Sequence, residues 1–380
     1  MFNQINEENN FGIKNGEFFL SNSVEVLFEH FKINLFAKDG CVFAERFLIA
    51  PSLGMQQWVH MQLASTLPIA CGITTTFLNK GIDILREKLF YTQKEYFLPA
   101  HLELFLRIKQ EIDLALDSSD PIWQPLIAYV QGASFASIGQ VAPRGKEGRK
   151  IALAKHLTTL FERYGIYANR ACLEWEKKPC GWQEALWAKI FHHWDYPQRA
   201  LLALRQKKNI PSGLSVHLFA FSHISPLHFQ FLCKASCQVP IYFYQLSPCQ
   251  EFWSDLPCDH PTLLGSMGKV GKEMAKLIEE SNVNVEEAYV VFGGNTRLKS
   301  LQRSLLTLQT TENILDNGEI DDSIQIHRSA TCQREIENLY QRLLSILTEE
   351  GMEPKDVIVM APQITTYAPY IQAIFGNGNL

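Results

Sequence analysis

The chain has 380 residues, 46% of them hydrophobic and 20% charged, with a formal net charge of −5. Such a length supports about two or three compact units with buried cores, and the balance excludes collagen-like, low-complexity and wholly disordered proteins. No apolar run approaches the roughly 18 to 20 residues of a membrane span and the polar start Asn3 to Asn10 holds no signal-peptide core, so the expected location is the cytoplasm.

The first pattern is Glu17 to Leu20, an apolar strand, followed by a turn at Ser21, Asn22 and Ser23 and a helix over Val24 to Phe31. A second unit repeats the plan. Phe47 to Ala50 is an apolar run, Pro51 to Gly54 a turn, and Met55, Trp58, Val59 and Leu63 share one helical face. In a P-loop motor the first strand-to-helix turn reads G-x-x-x-x-G-K-[ST], because glycines let backbone N–H groups reach the phosphates and the lysine meets their charge. Here Ser21, Asn22 and Ser23 stand in that turn with neither glycine nor lysine, so they are degenerate nucleotide-site positions.

Residues 86–210 read as almost entirely helical. Leu102, Leu104, Phe105, Ile108, Ile112 and Leu114 recur at helical spacing, as do Leu153, Leu157, Leu160, Phe161 and Tyr164, with a loop expected over Ala142 to Gly148. Between Gln140 and Ile210 fourteen Lys and Arg face six acids, so this stretch is +8 while the remainder is −13. Four of the seven tryptophans (Trp175, Trp182, Trp187, Trp194) lie there too. Cations following phosphates and aromatics stacking on bases are what single-stranded nucleic acid requires. Two assignments compete for each group: the aromatics suit a core better than a base platform, whereas the excess of cations suits nucleic acid better than a solvated face.

The α/β pattern resumes with Val216 to Phe221, a turn at Ser225-Pro226, a helix, and Val239 to Tyr244. Strand, helix and strand with short connections imply parallel pairing. A Walker B strand would end in Asp to hold Mg²⁺, but this one runs into Ser222 and His223. Gly265 to Lys272 imitates a phosphate loop, yet Val270 and Leu263 occupy the positions that need Ser or Thr and Gly, so an ordinary basic loop before a helix is expected. Residues 281–322 read as a polar linker. A last unit begins at Ile324, with a helix carrying Ile336, Leu339, Tyr340, Leu343, Leu344 and Leu347, and a strand at Asp356 to Met360. It breaks off at Gly376 to Leu380, as expected of a fragment of a longer protein.

The expected fold is therefore α/β. Residues 1–85 and 211–310 share one parallel sheet, 86–210 form an all-helical insertion, and 311–380 begin a second α/β domain. Catalytic patterns are lacking. No carboxylate cluster suits a nuclease, His192, His193 and Asp195 fall on different faces of a helix, and no G-x-S-x-G elbow occurs. Nine cysteines make no disulfide framework, and Cys233, Cys237, Cys249, Cys258 and His260 form no paired C-x-x-C knuckle, so no metal is expected.

Phe18 to Asn22 with Val26-Leu27, Leu48 to Ala50 with Gly54 to Trp58 and Met61, and Leu160 to Tyr164 with Tyr167 resemble the RecC family, the gamma subunits of exodeoxyribonuclease V. So do the Ile224-Ser-Pro226 turn, Pro248-Cys249 with Phe252-Trp253, Gly268-Lys269, Gln333 to Glu337, and Asp356 to Met360 with Tyr367, Pro369 and Ile371 to Phe375. The resemblance implies a superfamily 1 helicase-like fold with decayed motor sites: domain 1A, its 1B insertion and the start of 2A. It implies a subunit without ATPase or nuclease catalysis that channels single-stranded DNA and scans it for a Chi-type signal, partnered by RecB-like and RecD-like subunits that carry the ATP and Mg²⁺. It places DNA-binding positions at Thr159, Leu160, Glu162 and Arg163, and at Arg199; Lys155 joins them as a cation of the same basic helix. In a second part of the channel Phe77 and Asp83 replace an aliphatic residue and a tryptophan, so the same Chi sequence is not implied.

Overall fold

In the computed structural model, residues 13–36, 44–69, 71–92, 97–133, 145–168, 170–208, 210, 213–257, 260–281, 283–309, 321–348 and 352–376 are described. Expectations for Asn3 to Asn10, Ala142 to Arg144, Cys258, residues 310–320 and 377–380 lie outside them. The chain divides into two compact units, Met1–Gly293 with Leu301–Ile314, and Gly294–Ser300 with Leu315–Leu380.

The first unit is built on six parallel strands: β1 (Gly16–Ser21), β2 (Arg46–Ile49), β3 (Ile73–Thr76), β6 (Ser215–Phe219), β7 (Ile241–Leu246) and β8 (Val285–Glu287). Their order is β3-β2-β6-β7-β1-β8. The expected strand, helix, strand unit after residue 213 forms the parallel β6·β7 pair in register Val216↔Ile241 to Phe219↔Tyr244. β1 inserts beside it in register Gly16↔Ile241, bringing Phe18 against Phe243 with stacked rings 4.1 Å apart.

Alternation along the strands sends side chains to both faces, and both are covered, as an all-parallel sheet requires. Phe19, Leu48, Phe219, Tyr242 and Tyr244 meet α1 (Val24–Phe36) and α2 (Leu53–Thr66). Phe18, Phe47, Ile49, Val216, Leu218 and Phe243 face the other way, toward α3 (Leu78–Leu89) and α10 (Pro226–Ser236). Ser52 caps α2 through Met55 N at 3.2 Å, and Ser225 caps α10 with Pro226 in its first turn.

Between β3 and β6 runs the helical insertion. It holds α4 (His101–Leu116), α5 (Gln124–Gln131), α6 (Lys146–Tyr167), α7 (Arg170–Lys177), α8 (Trp182–Phe191) and α9 (Pro197–Leu202). Helix α6 starts inside the loop expected up to Gly148, with Gly145 at its N-cap. At the base of the insertion β4 (Phe90–Tyr91) and β5 (Arg205–Gln206) pair antiparallel, closing entry and exit side by side. The aromatics form its core. Trp187 is fully buried, with Phe161 and Tyr196 each 1% exposed.

The polar region 281–322 is more structured than the sequence implies, since β8 pairs with β1 and α13 covers Arg297–Leu306. β8 escapes notice because it is a three-residue edge strand carrying Glu286 and Glu287, the charged composition that discourages edge pairing. Ahead of α13, α11 (Leu263–Met267) and α12 (Lys269–Glu280) take up the segment Gly265 to Lys272 with only Gly268 between them, so the loop expected there is itself helical. In the second unit the expected strand at Asp356 to Met360 is not formed. A 3₁₀ turn covers Pro354–Asp356, and Ile358 and Met360 are 78% and 82% exposed between α14 (Cys332–Thr348) and α15 (Ile364–Phe375). Apolar composition invites a strand, but without a neighbouring ladder its N–H and C=O groups find no strand partner.

His217 lies at the centre of the sheet, completely buried between Ser215 Oγ at 3.0 Å and the Tyr244 hydroxyl at 3.1 Å. Burial, reinforced by the Arg46 guanidinium, lowers its pKa to about 3. The unfolded chain binds that proton near pH 6.5, so this contribution to stability is complete above 6.5 and is lost as pH falls toward 3. Between pH 7 and pH 5 the loss is expected to reach about 2 kcal/mol. Denaturant midpoints against pH check it: His217→Asn should flatten the slope, and an unchanged slope would refute the assignment.

Candidate nucleic-acid interface

The strands all end on one edge of the sheet, where open parallel sheets place their ligands. At the end of β1 the turn Ser21 to Ser23 is closed by the chain's own polar groups. Ser21 Oγ donates to Ala288 O (2.7 Å) and accepts from Ser23 N (3.1 Å), and Ser23 Oγ accepts from Val26 N (3.3 Å) while donating to Glu25 (2.6 Å). Asn22 pairs reciprocally with the backbone of Val290, donating to its carbonyl and accepting from its N–H, each at 2.8 Å. Helix α1 therefore begins with two of its first donors, Ser23 N and Val26 N, already satisfied by hydroxyls.

The Gly265 to Lys272 segment also has a packing explanation. A Cβ on Gly268 or on Gly271 would fall 2.9 Å from the Trp253 ring, so these glycines admit a tryptophan. Lys272 Nζ donates to the Leu256 carbonyl. Cys233 is buried and Cys237 Sγ turns back to Cys233 O at 3.8 Å, and among the described residues no group of His, Cys, Asp and Glu has metal-holding geometry.

Helix α6 carries most of the residues singled out for DNA. Lys155, Thr159 and Arg163 follow one another at intervals of four and are exposed, and Tyr167, 53% exposed, continues the row. The Lys155 and Arg163 side chains take part in no hydrogen bond or ion pair among the described residues. Leu160 turns partly inward against the insertion's core, and Glu162 accepts from His101 on α4 at 2.9 Å. Tyr167 lies parallel to the His223 ring, centroids 6.2 Å apart, so the row ends where β6 leads into Ser222 and His223. That stack links α6 to a loop 56 residues away in sequence, and the spacing of residues alone held no signal for it.

Arg199 is placed differently. Its guanidinium meets Glu176 (2.8 Å), Asp195 (3.3 Å) and the carbonyls of Phe191 and Trp194 (3.0 Å each), and lies over the Tyr196 ring at 4.9 Å. Although desolvation opposes it, Glu176 and Asp195 hold the Arg199 pKa above its usual value, and burial pushes the Cys172 thiol beside Glu176 up to about 12. Its Nη1 and Nη2 groups are engaged inside the fold while 29% of the side chain is exposed, so it offers less charge outward than Lys155 or Arg163. Arg149, bonded twice to Val130 O, and Lys150, paired with Asp113 and Glu147, are likewise internal. Three of the fourteen cations of this region are thus held inside the fold, but Lys150 and Arg199 pair with Glu147, Glu176 and Asp195 of the same region, so its net charge is not lowered by the pairing. Asp195 is no surface residue either: 8% exposed, it exchanges hydrogen bonds with the Phe97 backbone.

Phe77 stands apart from α6, at the end of β3, 48% exposed. Asp83, on α3, pairs with Arg86 at 3.0 Å and borders a mixed cavity of about 800 Å³ shared with Phe97, Pro197, Leu201 and His228.

No helix among the described residues is long and apolar enough to cross a membrane. The family model for the RecC N-terminal domain matches residues 17–313. The chain is similar to the RecBCD enzyme subunit RecC of Escherichia coli (strain K12), 23% identical over 88% of this chain and 36% of the relative. The same-named subunits of Mycolicibacterium smegmatis and Haemophilus influenzae are 24% and 22% identical, each over 89% of this chain and over 32% and 37% of their own lengths. The chain thus spans about a third of the length of the curated relatives it matches. With the match covering most of its length and the whole of the parallel sheet with its helical insertion, the chain belongs to the RecC N-terminal domain family.

Proposed function

We propose that the chain is a non-catalytic, DNA-handling part of a RecBCD-type helicase and exonuclease complex in double-strand break repair by homologous recombination. Its parallel sheet is a helicase-like 1A domain with a 1B insertion, kept for its shape after the fuel site closed. ATP and Mg²⁺ act in RecB-like and RecD-like partner subunits, and the work done here is to guide a single strand past α6 during the search for a Chi-type signal. The observation that carries this reading is the exposed row Lys155, Thr159, Arg163 and Tyr167, which offers two unpaired cations and a stacking ring along one helix. The phosphate turn supports it, because Ser21, Asn22 and Ser23 spend their groups on one another, on Glu25 and on the chain after β8.

The test is fluorescence anisotropy of a labelled single-stranded oligonucleotide over a salt series. Binding is expected to weaken steeply with salt, and Lys155→Glu with Arg163→Glu should reduce the log–log slope by about 1.4, the share of two phosphate contacts on a single strand. Circular dichroism confirms folding of the variant. A slope unchanged by the double substitution would remove this helix from the DNA path.

A pure scaffold for the motor subunit is the second reading. The acid-lined apolar cavity beside the closed phosphate turn favours it, because such a surface repels DNA and suits protein.

A further inference from the structure

At the ends of β7, β1 and β8 the sheet edge opens into an apolar cavity of about 770 Å³, distinct from the cationic row. Its floor is Trp253, 5% exposed, seated on the N-terminal turn of α12 where Gly268 and Gly271 make room for the ring. The rim is open and greasy: Leu246, Phe252 and Met267 are 45%, 62% and 82% exposed. Such a concentration of exposed apolar side chains around a formed cavity marks a binding surface rather than ordinary surface scatter.

The charge on this lining is one-sided. Glu251, Glu279 and Glu287 line it, all exposed, and no Lys or Arg does. None of the three pairs with a cation among the described residues; Glu279 accepts a hydrogen bond from the Ser254 hydroxyl at 2.5 Å and Glu251 one from the Gln250 side-chain amide at 3.3 Å. Phosphates would meet three unneutralised carboxylates here, so a nucleic acid strand is disfavoured. A second copy of this chain would bring the same acidic rim against itself. The complement is an apolar side chain large enough to reach Trp253, with arginine or lysine beside it.

We infer that this cavity docks a partner polypeptide through a bulky apolar anchor flanked by basic residues. The inference rests on the reading that the chain works within a multi-subunit complex, and it divides the molecule by charge: α6 for DNA, the acidic cavity for protein. Central apolar anchors carry most of the affinity of such contacts, while the charged rim sets orientation and encounter rate.

The experiment combines the chain with separately purified RecB-like and RecD-like subunits and measures association by biolayer interferometry. Three variants at exposed positions are compared with wild type: Met267→Ser, Phe252→Ala, and Glu251→Lys with Glu287→Lys. Each is expected to weaken association at least tenfold, the charge reversal more at low than at high salt, with single-strand binding unchanged. Folding is checked by thermal melts, and Met267→Leu, which keeps the apolar bulk, should restore association. Wild-type association retained by all variants would overturn the cavity assignment alone. Loss of single-strand binding with association intact would overturn it too, by giving the cavity to DNA. Failure of the wild-type chain to associate with either subunit would overturn both the assignment and the reading beneath it.

Discussion

Trp187→Ala is expected to cost about 3–5 kcal/mol, the range for emptying a large aromatic site that cannot collapse. Trp187 is fully buried and its ring touches five others: Phe191 at 4.1 Å, Tyr196 at 5.2 Å, Phe161 at 5.3 Å, Trp175 at 5.9 Å and Tyr164 at 6.4 Å between centroids. Those rings come from α6, α7, α8 and the start of α9, so one deletion loosens four elements at once. Guanidinium unfolding should show an early transition from the insertion, with the sheet melting later, and under the proposed function single-strand binding should weaken because α6 loses its support. Trp187→Phe should retain most of the stability. A cost below about 1 kcal/mol for the alanine variant would show that neighbouring rings close over the gap.

Gly16→Ala is the second large effect, expected at about 3–5 kcal/mol from overpacking and backbone strain together. Gly16 opens β1 with φ of +141°, and a Cβ there would fall 1.8 Å from the Ile241 carbonyl oxygen of β7. The obstacle is backbone held in the sheet ladder, which cannot swing aside as a side chain would. Either β1 shifts out of register with β7 or the first pair opens, and Phe18 then loses its stack on Phe243. Thermal denaturation reads the cost, and a melting temperature within a degree or two of wild type would show that the strand end relaxes freely.

The parallel strands were the legible part of the fold, because β1, β2, β6 and β7 are apolar runs bounded by Ser, Pro and Gly. β8 was not, since Val-Glu-Glu owes its strand state to pairing with β1 rather than to its own composition. Residues 356–360 fail for the converse reason: they have the composition and no ladder.

At the candidate site, the resemblance marks Thr159, Arg163 and Arg199, and Lys155 joins them as a cation of the basic helix. The same reading cannot separate Arg163 from Arg199, because charge is counted along the chain and partners are not. Glu176 is distant in sequence from Arg199, and only the fold brings them to 2.8 Å. The absence of glycine and lysine from the turn at Ser21 to Ser23 was equally visible from the start. What fills it was not, because Ala288 and Val290 approach from 267 and 268 residues away.

The place of β1 in the sheet has a consequence for how the molecule is made. It is synthesised well before its neighbours β7 and β8, which emerge about 225 and 267 residues later. At ribosomal rates of roughly 5–20 residues per second, that is a wait of about ten to fifty seconds. Throughout it Phe18, Phe19 and Leu20 have no ladder to join, while the insertion, whose contacts are local, is free to assemble its own core. The nascent chain is therefore most exposed to misassembly at its oldest strand, and slowing synthesis before residue 241 should lower the yield of native protein more than slowing it after residue 287.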